Sequence, residues 1–295
     1  MHSSHETLVV ELDAPDDFAG FRQAARVLLL LGVEPDYVQW RWVDALDIRA
    51  NMQVNAQADS DDLFTSIAAK VVTTADLDRV PAAGSSPVHI RKSQLTVLRN
   101  ACCHSHVGRY ALCYRWLWRV QQFPELIGDV LDSDWCHIEQ MAQAVSREIH
   151  KMHAFIRFRP TINEEGETVH IAWFEPDNHI LRAACDFFER RFANMRWVIL
   201  TPKGCVSWDL HQLKWAPGAT AAQAPKADEG EALWLAYYQS TFNPARLKEQ
   251  AMLREMPRRY WRNLPETRLI SPMVSMARSR KHEMLEKLPH SGKRT

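Results

Sequence analysis

Between residues 135 and 176 the apolar pattern changes period once, and that change constrains the chain more than any other feature. Ile138, Met141, Ala142, Val145, Ile149 and Met152 recur at three- and four-residue intervals, the period of an amphipathic helix running from about 135 to 153. From Ala154 the period falls to two. "AFIRFRP" and "HIAWFEP" alternate on either side of the turn "NEEGE", which predicts a β-hairpin. "DNHILRAACDFFERRFANM" then supplies a helix capped by Asp177, and "RWVILTPKGCVSWD" a second hairpin around Pro202, Lys203 and Gly204. Two hairpins separated by a helix predict an α+β fold: a four-stranded antiparallel sheet built from residues 154–210 and packed with several helices.

The flanks add to this core. "LVVEL" reads as a strand, "APDDFAGFRQAARVLLLLGV" as a helix with Asp16 or Asp17 as cap and Gly32 as stop, and "VQWRWVD" as an alternating strand. Together they predict a small N-terminal βαβ-like segment. Residues 45–90 are polar and rich in small side chains, and the segment from Ser93 to Gln122 reads as helix, with Tyr110, Tyr114, Leu117 and Trp118 at core spacing and Arg109, Arg115 and Arg119 solvated. After the linker-like "APGATAAQAPKADEG" come three helices: 231–242, 244–262 broken near Pro257, and 272–288 opened by Ser271 and Pro272. The expected organisation is an acidic lobe over 1–90, a helix-and-sheet core over 91–215, a linker over 216–230 and a basic helical end over 231–295.

The net charge is zero, but it is unevenly spread: residues 1–89 hold 14 acidic and 6 basic residues, net −8, and residues 245–295 hold 5 acidic and 13 basic, net +8. A basic end of this kind suits either an anion or the acidic end of the same chain. The six cysteines form no CxxC pair, so they are expected as reduced, mostly buried thiols and not as a zinc or iron–sulfur cradle. No run of 18 apolar residues occurs and the start has no basic region leading into an apolar one, so a cytoplasmic protein is expected, with no membrane partner. With no nucleophile elbow, phosphate-binding glycine loop or dinucleotide fingerprint, no cofactor and no metal are expected.

Three stretches could carry chemistry. His150 and His153, three apart at a helix end, could act as acid and base with Glu175, or share a metal if a carboxylate such as Glu175 or Asp177 approached from the sheet; alternatively His153 simply closes the helix, where a cation is favoured. Arg157 and Arg159 alternate along one strand face, suited either to a phosphate or to cross-strand pairing with Glu175. In "EMPRRYWRNLPE", Arg258, Arg259 and Arg262 flank Tyr260 and Trp261, the interleaving of cations and rings that holds phosphates while stacking a base. The alternative there is a structural turn with exposed arginines. "CCHSH" collects thiols and imidazoles, but adjacent Cys102 and Cys103 diverge on a helix.

"IHKMHAFIRFR", "AWFEPDNHIL", "FFERRFANMRWVILTP" and "FNPARLKEQAMLREMPRRYWRNLPE", with weaker matches in "FAGFRQAARVLLLLGVEPDYVQW" and "YALCYRWLWRV", resemble an uncharacterised bacterial family associated with DNA metabolism and DNA repair. Members of that family are encoded beside a radical-SAM protein or fused ahead of a UdgX-type uracil-DNA glycosylase domain. The resemblance implies a DNA-repair accessory protein that binds DNA or serves such a partner. Its motif residues fall here on His150, His153, Arg157, Arg159, Glu175, His179 and Arg196. Where relatives show an acidic segment before the aromatic helix, "HSHVGR" keeps only His104 and Arg109. Two other readings stand beside this one: an enzyme acting on damaged DNA through His150, His153 and Glu175, and a protein-interaction subunit without DNA affinity.

Overall fold

The computed structural model describes residues 7–42, 70–73, 88–163, 166–223, 249–264 and 267–270, with single positions between 272 and 279. The expected helix over 231–242, nearly all of the one over 272–288 and the linker beyond Gln223 lie outside the described residues.

The N-terminal segment is a βαβ unit. Strands β1 (Leu8–Leu12) and β2 (Val38–Trp42) run parallel, joined across helix α1 (Phe18–Leu31), and β3 (Lys70–Thr73) pairs parallel with the other edge of β1, giving the order β2-β1-β3. The start and stop of α1 are local. The Asp17 carboxylate accepts from Gly20 N at 2.8 Å, and Gly32 takes φ 69°, a left-handed conformation that glycine adopts without steric cost.

The predicted long helix over 93–122 is two helices, α2 (Lys92–Cys102) and α3 (Arg109–Gln122), separated by the "CHSHVG" turn. Helix α4 (Ser133–Phe155) follows, capped by the Asp132 side chain on Trp135 N at 3.0 Å. It bridges two hydrophobic cores. Ile138, Met141 and Ala142 join the core shared by β1, α1, α2 and α3, the helix lying chiefly against α2 and α3; Val145 and Met152 join the core that includes Ala172, Trp197 and Ile199 of the second sheet.

That second sheet has five strands: β4 (Arg159–Ile162), β5 (Thr168–Trp173), β6 (Trp197–Thr201), β7 (Gly204–Trp208) and β8 (Leu213–Ala216), in chain order across the sheet. The α+β expectation holds, with two corrections. The two hairpins are joined through a parallel β5–β6 pair by the crossover helix α5 (Leu181–Arg191), and β8 adds a strand beyond residue 210. Phe188 of α5, fully buried, packs against the rings of Phe158, Phe192 and Trp197. The expected break at Pro257 is present: α6 (Glu249–Glu255) ends before it, and a 3-10 turn, Arg258–Asn263, follows.

Candidate functional site

Glu148 lies on the buried stripe of α4, three residues after Val145 and four before Met152, with only 3% of its surface exposed. A buried carboxylate must be matched by donors. Four are supplied: Asp177 N at 2.8 Å, Asn178 N at 2.9 Å, Asn178 Nδ2 at 2.8 Å and Arg259 Nη2 at 3.1 Å. Asn178 Oδ1 in turn accepts from Ser105 N at 3.0 Å, and His179 N donates to Cys103 O at 2.8 Å. One carboxylate thus joins α4, the loop after β5, the α2–α3 turn and the C-terminal segment.

That segment docks through its own motif. Arg259 also pairs with the Asp177 carboxylate, and Arg262 pairs with Glu175. Tyr260 is 3% exposed, stacked on Phe174 at 5.3 Å and 18° and tilted against Phe155 at 5.7 Å. Trp261 donates from Nε1 to Met256 O at 2.9 Å. Three of the expected DNA-contacting residues therefore have internal roles: Arg259 and Arg262 are held by carboxylates, and buried Tyr260 has no face left for a base.

The other sequence candidates are dispersed. Arg157 does not lie on a strand; helix α4 runs through Phe155, and Arg157 donates to Ala154 O at 2.9 Å and Ile156 O at 3.0 Å, closing the helix end. Arg159 opens β4, opposite Ile171. His153 lies against Phe187 at 4.2 Å, with Nε2 at 3.1 Å from Ala184 O, and burial lowers its pKa. His150 is exposed, and Glu175 belongs to Arg262, so the three do not assemble an acid–base site. Asp177 is no helix cap: α5 begins after Ile180, and the Asp177 amide serves Glu148. Among the described residues no group of three His, Cys, Asp or Glu side chains is placed to hold a metal ion.

What faces solvent is a basic surface beside the docked segment. Arg147, His150 and Lys151 fall within one turn of α4, away from its buried stripe; Arg147 and His150 are exposed, while the Lys151 side chain is only 15% exposed. Lys151 contacts the Glu255 carbonyl and lies 3.3 Å from its carboxylate, which brings this turn alongside α6 and its exposed Arg254. Exposed Arg258 sits 5.7 Å from the half-buried ring of Trp261. Arg147, Arg254 and Arg258 have no carboxylate partner on a neighbouring element among the described residues.

A second feature is a cavity of about 260 Å³ where the carboxyl ends of β1, β5 and β6 converge, lined by Asp16, His179, Arg182, Lys203 and Trp215. Burial, with Lys203, Arg109 and His104 close by, pushes the His179 imidazole down to about 3, so at neutral pH it faces the cavity uncharged. Thr201 donates its hydroxyl proton to Gly204 O at 2.7 Å and offers no activated nucleophile. Because the folded chain resists protonating His179 while the unfolded chain takes the proton near 6.5, stability is full above about pH 6.5 and declines as the pH falls toward about 3. His179→Gln should flatten this acid limb in urea midpoints measured from pH 7 to 4, leaving the midpoint at pH 7 within a small shift of wild type.

The sequence reading missed Glu148, Asn178, Lys203 and the Asp132–Asp134 pair. Arg115 and Arg119, read as solvated, are both held by Asp134, at 2.6 and 3.0 Å, and Arg119 also by Asp132 at 2.7 Å. A charged residue inside an otherwise apolar helix stripe was the available signal for Glu148.

The fold and site define an α+β protein whose C-terminal segment is pinned by a buried carboxylate beside the carboxyl end of β5. The chain belongs to the family of the domain of unknown function DUF4130, whose model matches residues 107–266. The matched region contains Glu148, Asn178, the main sheet and the docked segment through Leu264; it leaves out the N-terminal sheet and α2. No curated protein and no solved structure shows a significant match. No described helix is long and apolar enough to cross a membrane.

Proposed function

We propose that the chain is a DNA-repair accessory protein that binds DNA through the basic face formed by Arg147 and His150 of α4 with Arg254 and Arg258, and that it works beside a radical-SAM protein or a uracil-DNA glycosylase. The observation that carries this reading is Arg258: an exposed guanidinium set beside a partly open indole, in a segment whose neighbours Arg259 and Arg262 are paired with carboxylates and whose Tyr260 is buried. Cations held on a fixed frame meet phosphates with little ordering cost, and an accessible ring edge beside them suits an unstacked base. The partner classes come from the family resemblance, and a cytoplasmic setting agrees with cysteines that are all unpaired.

The expected contribution of each cation is modest and separable from the fold. Arg258→Ala should weaken binding of a 20-nucleotide single strand by roughly three- to tenfold and reduce the magnitude of the salt slope by about 1. Arg159→Ala, on the edge strand, should leave both unchanged within error. Equal losses in the two variants, or none in Arg258→Ala, would remove this face as the contact surface. An acid–base enzyme built on His150, His153 and Glu175 has no supporting geometry.

A further inference from the structure

We propose that the trough between α1, α2 and α3 receives an acidic amphipathic helix of a partner protein. The trough encloses about 1140 Å³, and its floor includes Leu29, Leu30, Leu95 and Leu117. Its rim is basic. Arg22 and Arg26 stand one turn apart on α1, and Arg99 faces them from α2, its guanidinium 5.6 Å over the ring of Phe18. All three are exposed, and none has a carboxylate partner among the described residues. Like charges one turn apart repel and weaken a helix, so an uncompensated pair above an apolar floor needs another source of negative charge.

The chemistry of floor and rim selects the occupant. A leucine-lined trough alongside a 14-residue helix runs roughly 21 Å, the length of about four helical turns. Such a trough takes apolar anchors at i, i+3, i+4 and i+7 from a docked helix, with flanking carboxylates meeting the arginines. Nucleic acid would place polar phosphates and sugars over a lining that is mostly apolar, with Gln23 and Gln121 as its uncharged polar side chains. A second copy related by a two-fold axis would set Arg22 and Arg26 against their own equivalents, a like-charge contact that disfavours association. The trough lies almost wholly in α1 and α2, before the DUF4130 region, and its occupation is independent of the basic face assigned to DNA.

The test uses the full chain and two fluorescein-labelled 18-residue helical peptides with identical leucines at i, i+3, i+4 and i+7, flanked by glutamates in one and by lysines in the other. Wild-type protein should bind the glutamate peptide at least about tenfold more tightly than the lysine peptide by anisotropy at low salt. Arg22→Glu/Arg26→Glu should reverse that order, with thermal unfolding unchanged because both positions are exposed. Photo-crosslinks from a reactive leucine analogue in the glutamate peptide should map to α1 and α2 of the wild-type chain, which checks the site without any variant. Absence of binding, equal binding of the two peptides, or adducts elsewhere would overturn the proposal. A dimer in light scattering that the double reversal dissolves would assign the trough to a second copy and overturn it as well.

Discussion

Glu148→Ala is expected to cost about 3–5 kcal/mol of stability, because it removes the one acceptor shared by four donors at the junction of helix, sheet and C-terminal segment. The loss falls unevenly. Arg259 keeps 44% of its side chain exposed and can turn to water or to Asp177. The Asp177 and Asn178 amides and the Asn178 side chain cannot, since Asn178 is 6% exposed and its Oδ1 is already committed to Ser105 N. Glu148→Gln should recover little, because its new NH₂ group is presented to donors. Urea unfolding followed by tryptophan fluorescence gives the stability. Limited trypsin digestion gives the local consequence: in Glu148→Ala, cleavage after Arg258 and Arg259 should quicken well before the rest of the chain opens, as the segment loses its pin. If the midpoint shifts by less than about 1 kcal/mol and the segment stays protected, the junction does not depend on this carboxylate.

Arg109→Ala is the second large effect, also about 3–5 kcal/mol. Arg109 is fully buried, yet among the described residues no carboxylate faces it within ion-pair distance. Its fork donates to Cys102 O at 2.8 Å, His106 O at 3.1 Å and Pro15 O, and its flat face covers Trp42 at 4.1 Å and Tyr110 at 4.7 Å. The same side chain therefore ties the loop after β1 to the turn between α2 and α3, helped by Tyr110 Oη donating to Pro15 O at 3.0 Å. Alanine takes the side-chain donor from Cys102 O, one of two donors each from Pro15 O and His106 O, and leaves a void beneath two rings. Arg109→Lys should lose most of the same energy, because a point ammonium cannot reproduce a three-way planar fork or stack on an indole. A lysine variant as stable as wild type would mean that charge alone suffices there. Denaturant midpoints of both variants decide it.

The readable and unreadable parts of this fold divide along chain distance. The Asp17 cap, the Gly32 stop and the Pro257 break depend on residues a few positions apart, and each is present; the switch of period expected at Ala154 falls later, because α4 runs through Phe155 and β4 begins only at Arg159. Asp177 was read as a helix cap because an acid before a helix usually is one; a carboxylate 29 residues earlier captures its amide, and the helix starts later. The turn into β8 was hidden because Leu210, not glycine, takes φ 81°, supported by Asp209 accepting from His211 N and Gln212 N at 3.0 and 2.9 Å. Pattern could not tell a solvated arginine from a buried one either. Arg109 and Arg115 share the first two turns of one helix, but Arg109 is fully buried and Arg115 is half exposed against Asp134. The same limit governs the basic motif "PRRYWRN": its composition suggested a base-stacking clamp, while long-range partners bury Tyr260 and tie Arg259 and Arg262 to carboxylates, leaving exposed Arg258 beside half-buried Trp261.

The central claim, that the surface around this pinned segment meets DNA, is tested most directly by a salt titration of DNA affinity. Labelled single- and double-stranded DNA, with and without uracil, would be titrated with the full chain by anisotropy from low to physiological salt. The account predicts binding at low salt whose logarithm falls linearly with the logarithm of salt concentration, with a slope of about −3 to −4 for the four exposed basic groups of the face. No binding at low salt, or affinity that does not change with salt, would contradict it.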